Sequence, residues 1–230
     1  MRTGKTALYE DLKHQILTLE RAPDEDLDEV GLGESYGISR TPVRDVLRQL
    51  AGEGYVLIRE NRGARVIPMN HATMRDFFSV APVIYEAVAR LAVRNFRPQQ
   101  LQELKSCQAR FRAALGSRDH VAMVVENTLF HAVIGDMSAS TFLSPSYSKL
   151  LIDHARIGHT FFRPKTAEME EELRQSCDQH DQMIEAIARQ DEEGMVQLIY
   201  QHWGICRSNM EMFIAPRELP STTLQKSSLR

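Results

Sequence analysis

Apolar positions in this chain change their period twice. From about residue 6 to 19, Leu8, Leu12, Ile16 and Leu19 recur three or four apart, which gives one apolar face on a helix. Residues 21–26, with a proline and a run of charges, break that pattern. A short second helix fits 28–36, with Gly37 suited to stop it. A third fits 39–52, with Ser39 placed to cap it and Pro42 in its first turn, where a missing N–H costs little. The period then falls to two. Residues 55–59 and 64–67 read as strands, and Gly63 supplies the residue that a hairpin turn needs. Beyond Asn70 the helical period returns and persists. It predicts helices at 72–95, 98–115, 119–137, 142–162, 167–188 and 191–214, with breaks at Arg97-Pro98, Gly116-Ser117, 138–140 and Arg163-Pro164.

Three helices and a β-hairpin, in that order, spell a winged helix-turn-helix, and the helices that follow suit a bundle. The expected fold is therefore mostly α. A head at 1–68 precedes an all-helical domain of about six helices at 72–215, and the aperiodic polar tail 216–230 is expected to be disordered. Hydrophobic content of 43% is enough for real cores in 230 residues. The three cysteines, Cys107, Cys177 and Cys206, form no Cys-x-x-Cys pair and read as reduced thiols. The polar start and the lack of a run of ~18 apolar residues predict a cytoplasmic protein with no membrane partner.

A net charge of -3 does not suggest a nucleic-acid binder, but its distribution does. Between Arg40 and Arg65 six arginines face Asp45, Glu53 and Glu60, a local balance of +3 that follows an acidic stretch. At ~100° per residue, Val43, Val46, Leu47 and Leu50 share one face of the third helix, and Arg40, Arg44 and Arg48 share a neighbouring one. One face packs; the other offers guanidinium forks that match guanine O6 and N7 or phosphate oxygens. An isolated helix of this kind is also consistent with a plain solvated face. The short preceding helix, the tight Gly37-Ile38-Ser39 turn and the wing favour DNA.

The segment Leu27-x-Glu29-x-x-Leu32, then Gly37-Ile38-Ser39-Arg40-Thr41-Pro42-Val43-Arg44-Asp45-Val46-Leu47-Arg48, then Asn61-Arg62-Gly63-Ala64-x-Val66, resembles the GntR family of regulators. The resemblance implies that Arg40 and Arg44 read the operator, with Arg48 and Arg62 beside them. It implies that Ser39 and Thr41 contact phosphates or bases, and that Gly63 sits at the wing tip. Asp24 stands where the family often has Gly, Val30 where a basic contact is common, and Gly33 where Ala is usual.

Histidines carry the candidate chemistry beyond residue 70. Asn127 and His131 are four apart on one predicted helix and so share a face; His180 and His202 lie on two later helices. Such residues are able to converge inside a bundle, and imidazoles suit transition metals. By spacing alone, scattered surface or satisfied core histidines are the commoner reading. Residues 72–214 also resemble the FCD-type helical domain of FadR-like regulators, through Phe130-His131 and the spacing of His180, Asp191 and His202. That resemblance implies a divalent metal (zinc, nickel, iron or manganese) on Asn127, His131, His180 and His202, with Asn127 in place of the usual Asp. Ala81 stands where many relatives carry Arg. Arg156, His154 and Tyr85 become candidate effector contacts, with His159 on the same fourth helix, though a solvated face explains Arg156, His154 and His159 at least as well.

The family pattern implies a homodimer on a palindromic double-stranded DNA operator, with a small organic acid as effector. It also implies no enzyme. Two rivals remain: a DNA-binding dimer whose helical domain is only structural, and a metal-dependent hydrolase. The second lacks His-Glu-x-x-His and Gly-x-Ser-x-Gly.

Overall fold

Leu8, Leu12 and Ile16 are fully buried on one side of the first helix, α1 (Gly4–Leu17). The computed structural model describes residues 4–60 and 63–214, with side chains to 205. The predicted contact Arg62 and the predicted disordered tail 216–230 lie outside the described residues. Helix α2 (Glu29–Tyr36) begins on Asp28, whose carboxylate accepts from the N–H groups of Val30 and Gly31. It ends on Gly37 at φ 63°, the left-handed conformation that only glycine adopts without cost. Helix α3 (Arg40–Glu53) buries Val43, Val46, Leu47 and Leu50, the face predicted to pack.

The wing is larger than the sequence suggested. Strands β2 (Val56–Arg59) and β3 (Gly63–Val66) pair antiparallel as expected, with Val56 opposite Val66. A two-residue strand, β1 (Asp26–Leu27), joins the far side of β3, giving the order β1-β3-β2. It lies at the end of the segment expected to be a mere break. Two residues are too short to show a period, and only the β3 partner makes them a strand. Asp26 faces Arg65 across the pair and binds its Nε at 2.7 Å and its Nη2 at 2.8 Å. Asp24, at φ 64°, takes the left-handed turn where the resembling family often has Gly.

Six helices follow: α4 (His71–Asn95), α5 (Pro98–Ser117), α6 (His120–Ser138), α7 (Ser144–Phe161), α8 (Ala167–Ala188) and α9 (Glu192–Ile214). The expected architecture, a winged head and a helical bundle, is the one found among the described residues. Caps fix the helix starts. Asn70 and Thr73 form a reciprocal capping box at α4, Asp119 accepts from Ala122 N–H at α6, and Thr166 accepts from Met169 N–H at α8. Helix α6 packs on α4, α5 and α7, and α8 and α9 close the bundle against α5 and α4. The head has its own core, from Leu8 to Val66; the bundle has two, one around Tyr85, Phe130 and Trp203, the other around Phe111, Phe161 and Phe162.

Two glycines test the packing with opposite signs. A Cβ on Gly33 would lie 2.9 Å from the Ile38 carbonyl oxygen, so α2 meets the turn too closely for the Ala common in relatives. A Cβ on Gly116, in the last turn of α5, would meet no atom within 4 Å. Gly33→Ala is expected to destabilise by about 1–3 kcal/mol. Gly116→Ala is expected to stabilise by about 0.4–1 kcal/mol, because it restricts only the unfolded chain. Urea unfolding of both variants checks the pair, and equal midpoints would contradict the close contact at Gly33.

Candidate functional site

On the head, Ser39, Arg40, Thr41, Arg44 and Arg48 are all exposed along the start of α3. Ser39 occupies the N-cap position but makes no side-chain capping bond, contrary to expectation. Arg44 is not loose: its Nε donates to Glu29 Oε2 at 2.8 Å, so the end of the beginning turn of α2 holds the guanidinium in place. Arg48 lies 3.7 Å from Asp45 and is 70% exposed in its side chain. Between α3 and the wing runs a cleft of about 460 Å³ lined by Glu29, Arg44, Arg48, Arg59 and Gly63. Gly63 stands at the start of β3 with φ 74°, where a Cβ would come 3.2 Å from the Leu27 carbonyl oxygen. Val30, where relatives often carry a basic residue, is 40% exposed.

Arg59 is a residue the sequence reading passed over, and Asp26 decides what it contributes. The Asp26 carboxylate binds Arg59 at 3.1 Å as well as Arg65, and the two guanidiniums, Arg65 first, draw its pKa down to about 2. Half of the six arginines counted in the sequence are therefore paired with Asp26 or Glu29, and the positive surface of the free head is smaller than that count implies.

In the bundle, α6, α8 and α9 bring His131, His180 and His202 together. Each offers a nitrogen, all three atoms lie within 4.8 Å of one another, and all three rings are buried. The hydrogen-bond network fixes two of the rings. Gln108 Nε2 donates to the Cys177 carbonyl at 2.7 Å, so its Oε1, 3.1 Å from His180 Nδ1, must accept. His180 therefore carries its proton on Nδ1 and leaves the Nε2 lone pair free, and that atom has no partner. Gln179 Oε1 stands 3.0 Å from His202 Nδ1 in the same relation. Neither nitrogen of His131 has a partner. Buried polar atoms are seldom left unmatched, and the orphaned nitrogens of His131 and His180, with a nitrogen of His202 within 4.8 Å of them, fit a bound Lewis acid. Asn127, 2% exposed, lines a cavity of about 10 Å³ with His154 and His202, of which His202 belongs to the cluster. A space of that size suits one water or one ion and excludes an organic acid in this form.

The three candidate effector residues divide. Tyr85 Oη and His154 Nδ1 are 2.7 Å apart, and the His154 ring lies 4.6 Å from that of His131, so this pair adjoins the cluster. Arg156, expected beside them on α7, points elsewhere. Its guanidinium is fully buried, paired with Asp153 at 2.9 Å, and donates to the Ile67 carbonyl at 3.0 Å and the Pro68 carbonyl at 3.5 Å. Two residues along a helix are about 200° apart, which sends His154 to the cluster and Arg156 to the junction with the head. Helix α7 also packs on α1 and α3, where Lys149 lies against Gly54.

Gln108 and Gln179 were also passed over. Both carry a weak signal, since each places an amide on a stripe of core positions: Gln108 beside Leu104, Cys107 and Phe111, and Gln179 beside Cys177 and Met183.

Two family models match this chain. Residues 5–66 match the model of bacterial regulatory proteins, gntR family, and residues 78–204 match that of the FCD domain. The HTH-type transcriptional regulator YieP of Escherichia coli (strain K12) is 29% identical over 204 residues, covering 80% of this chain and 85% of that protein. The HTH-type transcriptional regulator McbR of the same organism is 28% identical over 188 residues, covering 80% and 82%. The solved structure of E. coli McbR/YncC superposes with a TM-score of 0.73 at 22% identity, over 92% of this chain and 97% of that one. A GntR transcriptional regulator from Rhodococcus sp. RHA1 gives 0.69 at 15%, over 94% and 100%. At these identities the structures attest the fold. Among the described residues no helix is long and apolar enough to cross a membrane.

Burial makes the cluster acid-sensitive. It depresses the pKa of His131 and His180 well below the ordinary value, that of His154 to about 4 and that of His202 to about 3. Folded, these rings stay neutral; unfolded, they take up protons below about pH 6.5. The unfolded state thus binds more protons across that window, so stability is fully present above it and falls as pH drops from about 6.5 towards 4. Urea midpoints of chelator-treated protein at pH 7.5, 6 and 5 are expected to decline in that order. A midpoint that is flat from pH 7.5 to 5 would contradict neutral buried imidazoles.

Proposed function

The chain belongs to the gntR family of bacterial regulatory proteins, in the branch that carries an FCD domain, and from that membership we propose that it is a metal-responsive DNA-binding homodimer. Its relatives are transcriptional regulators, which are not enzymes. In our reading α3 and the wing bind a palindromic operator, Arg40 and Arg44 meet base edges, and Ser39, Thr41 and Arg48 meet the backbone. The exposure of these five residues on one helix supports this, as does the Glu29 carboxylate that pre-orients Arg44. Gly63 of the wing completes the surface.

The observation that carries the regulatory part is the buried trio His131, His180 and His202, whose nitrogens lie within 4.8 Å of one another and of which His131 and His180 hold nitrogens without a partner. These three residues would hold a divalent ion, with Asn127 beside them as a neutral oxygen donor. Three imidazoles and an amide favour zinc, nickel or iron over manganese, which prefers oxygen. When bound, the ion would supply Lewis acidity towards the oxygen atoms of a small carboxylate effector. Gln108 and Gln179 orient the rings, Phe130 stacks on His180 at 4.1 Å, and the buried Tyr85–His154 pair adds a hydroxyl and an imidazole beside His131. Since the cavity admits only an ion or a water, an acid would displace one of its walls, and α7 is the wall that also touches the head. Arg156 would convert that displacement into a pull on Ile67 and Pro68. The tight cavity also favours a second reading, in which the helical domain only dimerises.

Two measurements decide between them. Operator DNA selected from a random pool is to be titrated by fluorescence anisotropy, with zinc and after chelation. A change in affinity of at least fivefold is expected, and Arg156→Gln is expected to abolish that change while keeping zinc binding. Equal affinities with and without metal would leave the structural reading. In the same assay Arg40→Ala and Arg44→Ala are each expected to cost about 1–3 kcal/mol of base discrimination.

Asn127→Asp restores a carboxylate at the centre. It is expected to raise zinc affinity at least tenfold in competition with a chelating dye, since it adds a negative charge in a buried site. An unaltered zinc affinity would remove Asn127 from the ligand set.

A further inference from the structure

A cavity larger than the one beside His202 lies away from the histidines. A cleft of about 710 Å³ opens between the α5–α6 turn and the α7–α8 turn, at the end of the bundle. Leu115, Met123 and Phe162 form its apolar base, and Arg112, Arg118, Arg163 and Arg174 line its sides. Volumes of this size accept small organic ligands, and an apolar base under a few charged groups suits an amphiphile.

The ion pairs around the cleft define how much charge it wants. Arg112 is neutralised by Asp178 at 3.0 Å and by Asp181. Arg118 is met by Glu170 at 3.4 Å, and Arg174 by Glu171 at 2.7 Å. Arg163 has no carboxylate partner among the described residues. His120, on the same wall, buries an Nδ1 that has no hydrogen-bond partner. One guanidinium is therefore unmatched, and the acids that hold the others would repel a polyanion. A single planar carboxylate fits a single free guanidinium fork.

We propose that this cleft is a binding site for a small monocarboxylate with an apolar body, such as a medium-chain or aromatic acid. Its carboxylate pairs with Arg163 and its body lies over Leu115 and Met123. The site is distinct from the histidine centre and independent of the reading given to that centre. Phe162 is the partition: its ring lines the cleft on one side and the small cavity of Asn127, His154 and His202 on the other.

Octanoate and its neutral isostere octanamide serve as probes, titrated calorimetrically into the full-length protein, first chelated and then loaded with zinc. Octanoate is expected to bind at least tenfold more tightly than octanamide, equally in both forms of the protein. Arg163→Gln is expected to erase that preference. Gly116→Trp is expected to weaken octanoate at least tenfold by filling the cleft; because a Cβ at Gly116 meets nothing within 4 Å, its circular dichroism should match the parent. Absence of octanoate binding at millimolar concentration, equal binding of the amide, or indifference to both substitutions would overturn the site. Binding that requires zinc and ignores Arg163→Gln would assign the acid to the histidine centre and overturn it equally.

Discussion

Three imidazoles gathered in a dry core cannot be charged, and much of the bundle is arranged around that constraint. Burial holds His131, His180 and His202 neutral, and no carboxylate stands in their group to offset a proton. Their Nδ1 atoms on α8 and α9 are tied to glutamine amides, which forces the lone pairs inward. Aromatic rings fill the remaining surface: Phe130 and Phe111 lie on His180, and Tyr85 on His131. This arrangement leaves hydrogen-bonding capacity unspent at one point and nowhere nearby for water to spend it, apart from a cavity of about 10 Å³.

Helix α7 connects that point to the head. His154 turns towards the cluster while Arg156, two residues on, is buried against the carbonyls of Ile67 and Pro68 at the exit of the wing. A buried guanidinium is costly unless its donors are matched; Asp153 and the two carbonyls match both Nη groups, while Nε stays buried without a partner. A shift of α7 has no slack to absorb it there. Coupling of this kind needs a ligand that favours one α7 position over another, and the closed cavity supplies a reason why occupancy would do so.

The head obeys a different rule. Its surface arginines are held by specific acids, Arg44 by Glu29 and Arg59 and Arg65 by Asp26. The exposed pairs add little stability, but they restrict where the guanidiniums point before DNA arrives. Asp24 and Gly33 depart from the resembling family's usual residues, and each sits where backbone geometry is tight: Asp24 in a left-handed turn, Gly33 against the Ile38 carbonyl.

Period alone located every helix and both hairpin strands to within a few residues, because each of these elements buries one continuous face and that face is written in the spacing of Leu, Val and Ile. It also separated the arginine face of α3 from its packing face. The strand β1 escaped, since two residues carry no period and exist as a strand only through β3. Histidine spacing named the right helices but left their convergence undecided, because sequence fixes which face a residue takes and not where helices 50 to 70 residues apart will cross. Tertiary packing alone brought Gln108 and Gln179 behind the rings and turned His154 and Arg156 to opposite ends of one task. It also left a cavity of about 10 Å³ beside His202 and Asn127 while opening a cleft at the bundle's end, for cavities are what packing leaves over and no single segment encodes them.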